Sequence, residues 1–167
     1  MFETLGGLPA HPLFVHLPVV LVPLAAIGVL AMALRPQWRQ RFGVPVAIIA
    51  GVGFVGTLLA ANTGEELEES FRAAGETIPQ VLNDHAEMGD TAQVIVGIFF
   101  VLTLAWVLYS IWQRRVGDER ATAKVRKPRL IGTMLAVVVV LSGAVASVSV
   151  TLTGHSGARS VWETDQP

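Results

Sequence analysis

The chain has no cysteine, and that absence removes a block of chemistry. Disulfides, thiolate metal sites, iron–sulfur clusters and covalently attached c-type haem all need thiols. Charge is scarce too. Only 15% of the 167 residues are Asp, Glu, Lys or Arg, against about 25% in ordinary globular domains. A formal net charge of −1, no basic tail and no aromatic–basic interleaving argue against a nucleic-acid partner. No GxSxG elbow, P-loop or HExxH motif is present. Met1 to Ala10 hold no Lys or Arg, whereas a cleavable secretory leader needs a positive start. The first apolar run is therefore expected to be a retained span.

What the chain has is apolar length. Apolar residues make up 52% of it, and the mean hydropathy is +0.56. Four runs approach the ~20 residues that cross a hydrocarbon core of ~30 Å: about 13–34, 44–62, 92–112 and 130–152. They are continuously apolar rather than alternating, which excludes barrel strands. With short connections they predict an all-α, integral membrane four-helix bundle of up-down-up-down topology in one domain.

Lys and Arg set the expected orientation. Ten of the twelve fall in two connections: Arg35, Arg39 and Arg41 in 35–43, and Arg114 to Arg129 in 113–129. The positive-inside rule puts those connections in the cytoplasm and both termini on the extracytoplasmic side. The connection 63–91 is acidic, with Glu65, Glu66, Glu68, Glu69, Glu76, Asp84, Glu87 and Asp90, and faces outward with the termini. Trp38, Trp106 and Trp112 lie near the cytoplasmic helix ends, as an aromatic belt would. Glu65–Phe71 is expected to continue the second helix into water until Gly75 and Pro79 break it.

All four histidines, His11, His16, His85 and His155, fall at the outward mouths of apolar runs. Ionisable groups at membrane depth cost several kcal/mol and mark function by default. At ~1.5 Å per residue, His16 stands roughly 27 Å and His11 roughly 34 Å above the cytoplasmic end of the first helix. Each histidine alone reads as a solvated or carbonyl-bonded side chain; four on one side read as a site. One reading is b-type haem, which needs one or two axial imidazoles and an apolar slot. His16 and His85 are the leading pair, from diagonal helices, with His11 as the alternate to His16. Gly56, Ala60 and Gly64, spaced four apart, leave room for a ring or pack another helix. Arg159 could pair with a propionate. The other reading is a single Zn, Cu or Fe ion held by His11, His16, His85 and His155 with Glu65. Pro18 and Pro23 free the carbonyls of Phe14 and Val19, which could orient an imidazole. His11 precedes Pro12 and is expected to fall in the loop before the helix.

A weak internal echo accompanies these residues. Both hairpins open with histidine, His11/His16 and then His85. Both close with Thr-Gly and a polar residue, Glu65 and then His155. Two parallel repeats about an axis along the membrane normal would produce that pattern.

The pieces HPLFVHLP (His11–Pro18), Thr63-Gly64 followed by acids, the isolated His85 and GHSGARSVW (Gly154–Trp162) resemble the DUF2231 family of small bacterial membrane proteins. The resemblance runs from His11 to Trp162. Leu17 stands where the family more often has Phe, and Ala158 where it often has a second Gly. The resemblance implies a multi-pass protein of the bacterial cytoplasmic membrane. Some members are fused to Rieske or cytochrome c domains, which implies an electron-transfer setting. The expected function is therefore binding of a redox cofactor, haem b first, for electron transfer at the outer face. The expected partners are the lipid bilayer and a redox partner protein or a second copy. The alternative is an ion-binding protein, or a non-catalytic subunit of a larger membrane complex.

Overall fold

The structure, a computed structural model, describes the backbone of residues 4–5, 8–116 and 128–164, and the side chains of 10–116 and 130–159. Four helices carry the fold: α1 (Ala10–Leu34), α2 (Pro36–Ala73), α3 (Gln80–Val116) and α4 (Pro128–Thr164). Two residue pairs, Thr4–Leu5 (β1) and Leu8–Pro9 (β2), form a short antiparallel ladder just before α1. Each helix packs on the one before it, and α1 closes the ring on α4. α1 therefore faces α3 across the diagonal, as the up-down-up-down expectation requires. All four are long and apolar enough to cross a membrane. The lysines and arginines of 117–129 lie outside the residues whose side chains are described.

The buried positions explain the bundle geometry. They fall at Pro18, Val22, Ala25, Val29 and Met32 in α1, and at Ala92, Val96, Phe99, Thr103 and Trp106 in α3. Gly132, Val139, Gly143, Ala146 and Val150 continue the pattern in α4. Spacings of three, four and seven repeat every 3.5 residues on average, which gives near-antiparallel, coiled-coil-like packing. The opposite faces are also apolar: Val20, Leu24, Ile27, Leu30 and Leu34 are exposed on α1. Lipid tails are as apolar as leucine, so these helices separate inside from outside by size rather than polarity.

Glycine is what brings α1 and α2 together. A Cβ on Gly56 would lie 2.6 Å from Leu17 Cβ, and one on Gly53 would lie 3.2 Å from Val22 Cγ2. Gly51-Val52-Gly53-Phe54-Val55-Gly56 also spells GxGxxG, but it lies within α2 with no strand before it. Its glycines are packing residues, because a nucleotide fingerprint requires a strand–turn–helix context. Between α2 and α3 the packing is reciprocal. The Phe100 ring lies over Gly51 and the Phe54 ring over Gly97, and the two rings stack at 5.8 Å.

Helix lengths decide where the site stands. α1 and α2 are joined through Arg35 alone, with Pro36 opening α2, so the 35–43 connection is mostly helix. At its 38 residues α2 is about 57 Å long, and α3 at 37 residues nearly as long. A ~30 Å hydrocarbon core leaves about half of each outside it. The expected continuation through Glu65–Phe71 is present, and the turn carries Gly75 at φ 80°, a conformation that favours glycine. At the opposite end Arg35 stacks on Trp38, Arg39 on Trp106 and Arg41 on Phe42, each 5.0–5.6 Å from the ring centre. This basic, aromatic-rich end and the acidic end define the two poles of the bundle.

Candidate functional site

At the acidic pole the four helices spread around a cavity of about 570 Å³. Its walls are mostly apolar, from Val15, Pro18 and Val19 of α1 to Val150 of α4. Its rim carries Glu65, Glu68, Glu76 and Asp90. Two of the four histidines enter it. His11 stands in the first turn of α1 and His85 in the second turn of α3, and their ring centres are 6.1 Å apart at 83°. His11 is helical rather than in the preceding loop. Pro12 needs no N–H partner that early in a helix, so the helix starts at Ala10.

The hydrogen bonds fix how both rings are held. His11 Nδ1 lies 2.8 Å from the Ala60 carbonyl of α2. A carbonyl can only accept, so Nδ1 carries the proton and Nε2 keeps its lone pair. His85 Nδ1 lies 2.9 Å from Ser156 Oγ of α4, and that hydroxyl donates onward to the Thr153 carbonyl at 2.8 Å. With the hydroxyl proton committed to Thr153, Ser156 Oγ accepts from His85. His85 therefore also has Nδ1–H and a bare Nε2. Each histidine is thus tied to the second helix of its own hairpin. Each also lies against a glycine of that helix. A Cβ on Gly64 would sit 3.2 Å from His11, and one on Gly157 2.8 Å from His85.

His85 stands above the apolar run 92–112. Burial lowers its pKa from the ordinary value, and the nearby His11 adds to that effect. A backbone bond to Thr153 works against the shift. The net effect favours the neutral ring, the form that can donate a lone pair.

The remaining expected residues divide. Ala60, Gly64 and Glu65 line the cavity, whereas Gly56 is used up in packing against Leu17. His16 points away from the cavity; it is exposed, and its Nδ1 donates to Pro12 O at 2.6 Å in its own helix. That carbonyl, rather than those of Phe14 or Val19, orients it. His155 and Arg159 are exposed at the end of α4 and do not line the cavity. The pair that meets is therefore His11 with His85. Among the described residues, no three His, Asp or Glu side chains gather around one point. Sequence reasoning did not single out Ser156 or Gly157. Both lie within the Gly154–Trp162 motif, whose meaning becomes visible once His85 is seen to rest on it.

A family model described as a predicted membrane protein, DUF2231, matches residues 7–165. The chain belongs to the DUF2231 family. The match spans both histidine motifs and all four helices. No curated protein and no solved structure matches it.

Proposed function

We propose that this membrane protein binds a redox cofactor, b-type haem first, between His11 and His85, and passes electrons at its acidic pole. The observation that supports the reading is the paired geometry of the two imidazoles. Both come from diagonal helices and both are anchored through Nδ1–H, which leaves both Nε2 lone pairs for a metal. Metal-ligating histidines commonly hold their second nitrogen this way.

The two ring centres stand 6.1 Å apart, so one bound group could meet both imidazoles. A cavity of about 570 Å³ with apolar walls is far larger than a bare ion requires and suits a cofactor with an organic ring. When bound, a haem would supply reversible one-electron transfer. Ala60 and Ser156 would hold the rings, Gly64 and Gly157 would give them space, and the rim carboxylates would favour the more positive oxidation state. The same carboxylates support the second reading, a Zn, Cu or Fe ion, because they favour any cation.

Orientation follows the positive-inside rule. The basic pole faces the cytoplasm and the histidine cavity opens on the outer side of a bacterial cytoplasmic membrane, within reach of a one-electron carrier protein.

Spectra of the detergent-purified protein, oxidised and dithionite-reduced, with elemental analysis alongside, test this. Haem gives a Soret band and about one iron per chain. His11→Ala and His85→Ala should each abolish or shift it, while His16→Ala and His155→Ala should not. A colourless protein with stoichiometric zinc or copper moves the assignment to the ion. A colourless, metal-free protein after expression with added haem sinks both and leaves a structural subunit.

A further inference from the structure

The basic pole, at the far end of the bundle from the histidines, holds a cation without a counter-ion. Arg39 is partly buried and reaches from α2 across to α3, where its guanidinium lies 5.0 Å from the centre of the Trp106 ring. That ring is fully buried and donates from Nε1 to the Gly132 carbonyl of α4 at 3.3 Å. Three helices therefore fix the platform on which Arg39 rests. Arg35 over Trp38 and Arg41 over Phe42 flank it on α2. Stacking uses the flat face of a guanidinium and leaves its N–H edge for an acceptor. Among the described residues, no side-chain hydrogen bond or ion pair meets that edge on any of the three. The helices offer no acid nearby. Along α2 the first carboxylate is Glu65, 26 positions from Arg39 and about 39 Å at helical rise. On α3 it is Asp90, about 24 Å from Trp106, and residues 130–159 of α4 have none. Burying a charge in part is costly unless it is paired.

We propose that Arg39, seated on Trp106 and flanked by Arg35 and Arg41, binds the phosphate of an anionic phospholipid headgroup. The inference stands apart from the cofactor reading and needs only the membrane-embedded bundle. Charge and shape select the occupant together. A guanidinium edge matches two phosphate oxygens with two parallel N–H bonds. A zwitterionic headgroup brings its own ammonium to a pole whose described residues are all cationic where charged, and is disfavoured. A free phosphate meets the guanidinium but leaves the surface beside it bare. That surface is apolar: Val44 and Ile48 are exposed on α2, about 8 and 14 Å from Arg39 at helical rise, and Leu104 and Leu108 are exposed on α3. An acyl chain joined to the same phosphate covers it. Exposed Trp38 and Phe42 are residue types that settle at headgroup depth, which sets the level of the phosphate.

The test is native mass spectrometry of the full chain released from nanodiscs of phosphatidylglycerol and phosphatidylcholine in equal amounts. The lipids that stay bound are counted by class. The parent should retain phosphatidylglycerol over phosphatidylcholine by about tenfold, and Arg39→Gln should lower that preference about fivefold. Arg39→Lys keeps the charge and covers Trp106 but loses the planar fork, so it should fall between the two. It also serves as the second variant should Arg39→Gln lose helical circular dichroism. Arg115→Gln removes an exposed charge of the same pole and should change the preference less than about twofold. That ranking, with retention unaffected by excess inorganic phosphate, upholds the site. Equal retention of the two lipids by the parent overturns it. So does indifference to Arg39→Gln, which would mean that another carboxylate already holds the guanidinium. A loss with Arg115→Gln as large as with Arg39→Gln would reduce the effect to diffuse charge, and displacement of the lipid by inorganic phosphate would show an anion site with no lipid specificity; either result overturns the proposal.

Discussion

Replacing Gly56 by alanine sets two opposing effects against each other, and the structure decides between them. In a helix interior, alanine is favoured over glycine by about 0.8–1.0 kcal/mol. The new methyl group, however, would lie 2.6 Å from Leu17 Cβ and 3.1 Å from Pro18 Cδ. Carbon atoms rest at about 3.5–4.0 Å, so α1 and α2 must part by roughly 1 Å. Leu17 Cβ is bonded directly to its helix backbone and cannot swing aside as a chain tip would. Overpacking of this kind costs about 1–3 kcal/mol. The net expectation is a loss of up to about 2 kcal/mol. Gly89→Ala is the matched control. It lies in the interior of α3 with nothing within 4 Å of the added carbon, so only the propensity gain remains. Unfolding in mixed micelles, followed by circular dichroism as denaturing detergent is titrated in, should separate the two variants by about 1–3 kcal/mol. A Gly56→Ala protein stabilised as much as Gly89→Ala would refute the close approach of α1 and α2.

Gly157→Ala should spare the fold yet push the His85 ring, because the new carbon would stand 2.8 Å from its Cε1. Loss of that positioning is expected to lower cofactor affinity by about 10–100-fold, read by titration of the Soret band or of the metal. Thr103→Val should stabilise the bundle by about 1 kcal/mol, since Thr103 Oγ1 is buried without a hydrogen-bond partner among the described residues; a loss measured by the same unfolding titration would show a hidden partner. His85 titrates below the ordinary histidine value, so its contribution to stability is present above about pH 6.5. As pH falls through the lowered folded value, the unfolded chain binds the proton first and that contribution is lost. His85→Gln should flatten this part of the stability profile, and nitrogen-15 NMR of the imidazoles should locate the midpoint directly.

The bundle was legible because its determinants are local. Uncharged runs of about twenty residues and the distribution of Arg and Lys define four spans and two poles without knowledge of any contact. The end of α2 was legible for the same reason, since Gly75 and Pro79 announce a turn by their own backbone chemistry. The choice of His11 over His16 was not. Five residues around a helix put them on different faces, but which face looks inward depends on where α2 lies. That in turn depends on Gly53 and Gly56 admitting α1. The four-residue spacing of Gly56, Ala60 and Gly64 suggested one shared purpose, yet the stripe divides: Gly56 meets Leu17, and Gly64 meets His11. Ser156 could not be assigned at all without knowing that α4 returns to lie beside the first turns of α3.

Each hairpin carries its own histidine on its own anchor, so neither hairpin alone sets the gap between the two rings. The Phe54–Phe100 stack, seated on Gly97 and Gly51, holds one hairpin against the other. The molecule works as a calliper, with two rigid jaws, an imidazole at each tip and an aromatic screw between them. Lateral squeeze from the bilayer, or a bulkier ring at either phenylalanine, would reset the opening without touching a residue in the cavity.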